Sequence, residues 1–121
     1  MDASLSGLLA MQLHEKVIIV TGSVTGIGKA IAKRCIEEGG FVLLHGLEPE
    51  LGEEAIQDLN PERSQVSLII QDLAEPGAPQ KIVDYAIQEF GKIDALVNNA
   101  AWVKFVDIEG TDEEIFDGVM A

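Results

Sequence analysis

The chain has 121 residues, 47% hydrophobic and 24% charged, with a formal net charge of −13 from 8 basic and 21 acidic residues. That length suits one domain with its own core, and the acidic balance argues against nucleic acid or an anionic membrane as a partner. No apolar stretch approaches the roughly 20 residues of a membrane-spanning helix, and a single cysteine, Cys35, excludes an internal disulfide and suits a reducing, cytoplasmic setting.

Residues 1–13 contain Leu5, Leu8, Leu9 and Met11 but no Lys or Arg, unlike a signal peptide or a mitochondrial presequence. They are expected to form a poorly ordered leader to a domain over residues 14–121. Lys16 to Val20 reads as a first strand. A helix follows from Gly26 or Ile27 to Glu38, with Ile27, Ile31 and Cys35 on one stripe, and Gly39-Gly40 stops it. Phe41 to Leu44 is a second strand. Pro49 to Leu59 is a second helix, with Pro in its first turn, an apolar side of Leu51, Ala55 and Leu59, and Asn60-Pro61 to end it. Val66 to Ile70 is a third strand. Pro79 to Phe90 is a third helix, striped by Ile82, Ala86 and Phe90 and closed by Gly91. Ala95 to Val97 is a short fourth strand. Thr111-Asp112-Glu113-Glu114 has the form of a capping box, so a fourth helix begins there, on a stretch rich in acids.

Strands alternating with helices of this length imply βαβ units, an α/β fold and a parallel sheet. Right-handed crossovers make the expected strand order 3-2-1-4, that of Rossmann-type dinucleotide folds as far as the chain goes.

The segment Thr21-Gly22-Ser23-Val24-Thr25-Gly26-Ile27-Gly28 lies between the first strand and the first helix. A glycine-rich turn there lets an anion approach bare backbone at the positive end of the helix dipole. A nucleotide phosphate is the expected ligand. A P-loop is a near miss in the same residues: Ser23 stands where its first Gly belongs, and Ala30 replaces the magnesium-binding hydroxyl. A turn without any ligand is the remaining alternative, but it gains nothing from the backbone entropy lost at three glycines.

Thr21 to Gly28 resembles the T-G-x-x-x-G-I-G motif of the short-chain dehydrogenase/reductase family. Asp72-Leu73 resembles the family's pair after the third strand. Asp94-Ala95-Leu96-Val97-Asn98-Asn99-Ala100-Ala101 resembles its D-x-L-V-N-N-A-G segment, and Thr111 to Asp117 the start of its next helix. The resemblance runs from about Leu13 to Ala121 and implies an oxidoreductase that interconverts alcohols and carbonyls by hydride transfer with NAD or NADP. It implies that the backbones of Gly22, Ser23 and Ile27, in the turn closed by Gly26 and Gly28, line the pyrophosphate. The Ser23 and Thr25 hydroxyls would lie near phosphate or ribose. Asp72 would accept from the adenine amino group, and the Leu73 backbone would meet the ring edge. Asn99 and Ala100 would border the two riboses. Asn98 is expected to be structural. Asp72 as a turn or capping aspartate and Asn99 as a satisfied loop amide remain open. Ala101 departs from the family's usual Gly.

Cofactor choice in such folds is set at the end of the second strand. The acid that binds the NAD ribose would fall at Gly46, so it is missing. No Lys or Arg lies between Gly39 and Pro61 to accept an NADP phosphate, and Glu48 and Glu50 would repel one, which favours NAD. His45 is read as a strand-end residue without a role.

The family's catalytic Asn, Ser, Tyr and Lys have no counterparts. The sole tyrosine, Tyr85, sits on the third helix with Glu89, not Lys, four residues on. The resemblance therefore implies the N-terminal, cofactor-binding half of a longer fold, inactive alone. The second hypothesis is a non-catalytic dinucleotide-binding or interaction fragment, able to associate through an exposed half-interface. Trp102, Val103, Phe105 and Val106 would lie near the substrate in a full-length relative, or simply pack as a loop.

Overall fold

The computed structural model of the protein describes residues 11–100. The expected fourth helix, Ala101 and the apolar group Trp102 to Val106 lie outside the described residues, as do residues 1–10 of the expected leader.

Strand β1 (Val17–Val20) leads into helix α1 (Gly26–Glu37), and β2 (Phe41–Gly46) into α2 (Pro49–Leu59). Strand β3 (Val66–Ile70) leads into α3 (Ala78–Phe90), and β4 (Ala95–Val97) completes the sheet. All pairings are parallel and the order is β3-β2-β1-β4, as the alternation of elements predicts. Val17 to Val20 are all buried, because helices cover both faces of a parallel sheet. Ile18, Val20, Val42 and Leu44 pack with Ala32, Cys35, Ala55 and Ile56 from α1 and α2. Ile19 and Leu43 point the opposite way and pack with Ile82 and Ala86 of α3.

Helix α3 buries Ile82 and Ala86 with Phe90 packed beside them, as its stripe predicts, whereas the faces of α1 and α2 differ from the expected stripes. Helix α1 buries Gly28, Ala32 and Cys35, whereas Ile27 is 75% exposed. Small residues win the sheet-facing positions because they let the helix axis come close. Helix α2 likewise buries Gly52, Ala55 and Ile56, with Leu51 and Leu59 flanking. Burial in this core raises the Cys35 thiol above its ordinary pKa and keeps it protonated.

Strand β2 runs two residues further than its apolar stretch suggests. His45 and Gly46 continue the ladder, opposite Ile69 and Ile70 of β3. Near the start of the described chain, Met11, Gln12 and Leu13 lie against α1 rather than apart from it. Leu13 N–H donates to the Glu38 carbonyl at 2.9 Å, Gln12 N–H donates to the Glu38 carboxylate at 3.2 Å, and Leu13 packs on the core.

Candidate dinucleotide-binding site

The loops after β1, β2, β3 and β4 gather at the carboxyl ends of the strands. Strand β1 lies between β2 and β4, so the chain changes direction across the sheet there. Open α/β sheets bind ligands in the crevice at such a switch point.

The turn after β1 is shaped by its glycines. Gly22 and Gly26 have φ of +61° and +60°, in the left-handed region where a side chain is strained. A Cβ at Gly28 would strike the Gly22 carbonyl and come within 2.6 Å of Asn99 Nδ2. A Cβ at Gly26 would meet nothing within 4 Å, so this glycine faces open space. Thr25 is the N-cap of α1 but makes no side-chain capping hydrogen bond, and Thr25, Gly26 and Ile27 are exposed. The N–H groups of a helix's first turn have no intrahelical partners. This bare backbone rim fits a diphosphate.

Thr21 ties the turn to the loop after β4. Its N–H donates to the Val97 carbonyl at 3.0 Å, and its hydroxyl oxygen accepts from Asn99 and Ala100 N–H, each at 3.0 Å. The hydroxyl proton lies within reach of the Asn98 side-chain oxygen at 3.3 Å and the Val97 carbonyl at 3.4 Å. Asn99 Nδ2 donates to the Gly22 carbonyl at 3.1 Å. Asn99 and Ala100 are thus held beside the glycine turn. The Asn99 amide is engaged within the protein, as the loop-amide alternative requires.

Ser23, whose side chain the family resemblance places near phosphate or ribose, has that side chain fully buried and facing β2. Its N–H donates to the His45 carbonyl at 2.8 Å, and its hydroxyl oxygen accepts from His45 N–H at 2.9 Å. Ser23 braces the turn from beneath instead. Asp72 is exposed and builds a turn: one carboxylate oxygen accepts from Ala74 N–H at 2.9 Å, and its carbonyl accepts from Glu75 N–H at 3.1 Å. Leu73 packs partly against the α3 side of the core.

His45 and Thr21 were missed as site residues. His45 is 2% exposed, its Nδ1 is 2.9 Å from the Gly22 nitrogen, and its Nε2 is 2.7 Å from the Gln71 carbonyl. The available signal was a polar ring at the end of an otherwise apolar strand. For Thr21 it was a hydroxyl directly before the glycine turn. At Gly46, where the NAD-binding acid would fall, a Cβ would come within 2.6 Å of a Val24 methyl. Val24 occupies the space an acidic side chain would cross.

Tyr85 is remote from these loops. It lies on α3, with its hydroxyl 3.4 Å from Ser67 Oγ. Among the described residues, no group of three or more His, Cys, Asp or Glu side chains could hold a metal ion, and no helix is long and apolar enough to cross a membrane.

The family model described as short chain dehydrogenase matches residues 16–121. An uncharacterized oxidoreductase of Thermotoga maritima is 35% identical over 111 residues, covering 92% of this chain and 43% of the relative. Galactitol 2-dehydrogenase of Agrobacterium fabrum is 36% identical over 109 residues, covering 90% of this chain and 41% of the relative. The crystal structure of L-sorbose reductase from Gluconobacter frateurii, complexed with NADPH and L-sorbose, superposes with a TM-score of 0.76 at 31% identity, over 87% of this chain and 40% of that one. The chain spans less than half the length of these relatives. The sheet order, the glycine turn at the switch point and the extent of these matches agree, and the chain belongs to the short-chain dehydrogenase family.

Proposed function

We propose that this chain is the cofactor-binding part of an NAD(P)-dependent oxidoreductase that interconverts an alcohol and a carbonyl. The observation that carries the reading is the open backbone rim of Thr25, Gly26 and Ile27, held beside Asn99 and Ala100 at the switch point between β1 and β4. In this reading the rim, with Gly22 and Gly28 shaping it, holds the pyrophosphate. Asp72 and Leu73 meet the adenine, and Asn99 and Ala100 border the riboses. The bound nicotinamide supplies or accepts the hydride. The chain's own residues bind and orient the cofactor. The binding domain is residues 14–121, and a single cysteine, which can form no internal disulfide, fits a cytoplasmic location.

NAD is preferred over NADP in this proposal. No Lys or Arg lies between Gly39 and Pro61, and Glu48, the exposed N-cap of α2, places negative charge where a 2′-phosphate would sit. Fluorescence titration with NADH and NADPH tests both steps. NADH is expected to bind and NADPH more weakly. Tighter NADPH binding overturns the preference, and binding of neither overturns the cofactor reading.

The position of Tyr85 supports the second reading, a dinucleotide-binding fragment that does no chemistry by itself. With Glu89 four residues on and Ser67 as its neighbour, Tyr85 is not the proton donor of this site. The 121-residue chain is expected to give no carbonyl reduction when NADH or NADPH absorbance is followed. Turnover by this chain alone overturns that expectation.

A further inference from the structure

His45 is engaged on every polar atom it has. Its N–H donates to Ser23 Oγ at 2.9 Å and its carbonyl accepts from Ser23 N–H at 2.8 Å. The ring contacts fix its proton. A backbone N–H can only donate, so Nδ1, 2.9 Å from the Gly22 nitrogen, is a bare acceptor. A carbonyl can only accept, so Nε2, 2.7 Å from the Gln71 oxygen, carries the hydrogen. The buried ring is therefore the neutral Nε2–H tautomer, and it spans from the glycine turn to the end of β3.

Those two ends matter because of what they carry. Gly22 sits at φ +61°, a conformation that glycine adopts freely and leaves freely. Gln71 immediately precedes Asp72 and Leu73. On the proposed cofactor reading, one end of the ring holds the pyrophosphate turn and the other the adenine loop. We propose that His45 is a positioning residue for the dinucleotide: its imidazole sets the spacing between these two loops before the ligand arrives. It touches no ligand. It acts through Gly22 N–H and the Gln71 carbonyl, partly buried groups that an apolar side chain would leave without this partner. Preorganisation of this kind raises affinity by removing the ordering cost from the binding step.

The test separates the two ring nitrogens on the full chain. His45→Asn keeps an acceptor near the Nδ1 position, His45→Gln keeps a donor near the Nε2 position, and His45→Leu keeps neither. NADH binding is read by fluorescence titration, the fold by circular dichroism, and the hold on the turn by exchange of the Gly22 amide proton. His45→Leu is expected to weaken NADH binding by about ten-fold or more and to expose the Gly22 amide to exchange. His45→Asn should recover most of the affinity and the Gly22 protection, and His45→Gln should recover neither in full. Long-range nitrogen–proton spectra of the wild-type imidazole should show the hydrogen on Nε2. A hydrogen on Nδ1 overturns the proposal, as does a folded His45→Leu that binds NADH like wild type. If His45→Leu does not fold, equal affinity and equal Gly22 protection in the Asn and Gln variants overturn it. A wild-type chain that binds no NADH sinks the cofactor reading together with this proposal, whereas wild-type binding with indifferent variants sinks this proposal alone.

Discussion

Three glycines at the site are required for three different reasons. Gly28 has no room for a Cβ because the Gly22 carbonyl lies against it. That contact is with backbone, which cannot rotate away as a side chain can. Gly28→Ala is therefore expected to distort the turn, costing about 1–3 kcal/mol of stability, and to weaken NADH binding more than ten-fold. Unchanged affinity in a folded variant would count against the turn as the phosphate site. Gly46 is constrained by a side chain, the Val24 methyls 2.6 and 2.9 Å from a hypothetical Cβ. Installing the missing NAD-binding acid by Gly46→Asp should cost about 1–3 kcal/mol through overpacking. Adding Val24→Ala should return part of that loss, because the two positions share one volume. Thermal or urea unfolding of the two singles and the double variant measures this coupling, and strict additivity would disprove the shared volume. Gly26 is the third case: its glycine is required by φ alone, with open space in front of it. The positions of these glycines could be read from the sequence. What demanded each one could not, since the close approach of Gly28 to the Gly22 carbonyl and of Gly46 to Val24 is set only by the folded chain.

At the scale of elements, extents were largely readable, as was the Ile82–Ala86–Phe90 face of α3, but the faces of α1 and α2 were not. Helix α2 and strands β3 and β4 begin and end where Pro49, Asn60 and the apolar runs place them. Helix α1 buries Gly28 and Ala32 and leaves Ile27 outside, because sheet–helix distance, and not hydrophobicity alone, selects the facing residues. Strand β4 is short and at the edge, and its attachment to β1 depends on side chains as well as the ladder. Asp94, just before it, accepts from Val17 N–H at 2.8 Å and pairs with Lys92 at 3.1 Å. The backbone hydrogen bond first, and then Lys92, hold its carboxyl below the ordinary aspartate value. A depressed folded-state pKa contributes stability above the unfolded-state value, and that contribution disappears as pH falls through the folded value. The stability difference between wild type and Asp94→Ala should therefore be present at neutral pH and shrink below about pH 4. Urea unfolding of both proteins at neutral and acid pH checks it, and a difference that grows on acidification contradicts it.

The whole molecule carries a net charge of −13, so its acids repel one another in the compact state. Added salt screens that repulsion over a Debye length of about 10 Å at 0.1 M. The thermal midpoint should rise between low salt and about 0.5 M sodium chloride; a fall would mean that the ion pairs Lys29–Asp58 and Arg34–Glu38 outweigh the general repulsion. Alternation of elements, the glycine turn and the short segments at Asp72 and Asn98 were sufficient to read the parallel sheet, its order and the family from sequence, because periodicity and glycine placement are local properties of the chain. Tertiary structure alone decided that Ser23 turns inward, that Thr21 grips the β4 loop, and that His45 joins the glycine turn to the end of β3. Those assignments depend on hydrogen bonds between residues brought side by side by parallel pairing, and no local pattern encodes which donors and acceptors will meet once four strand ends share one edge.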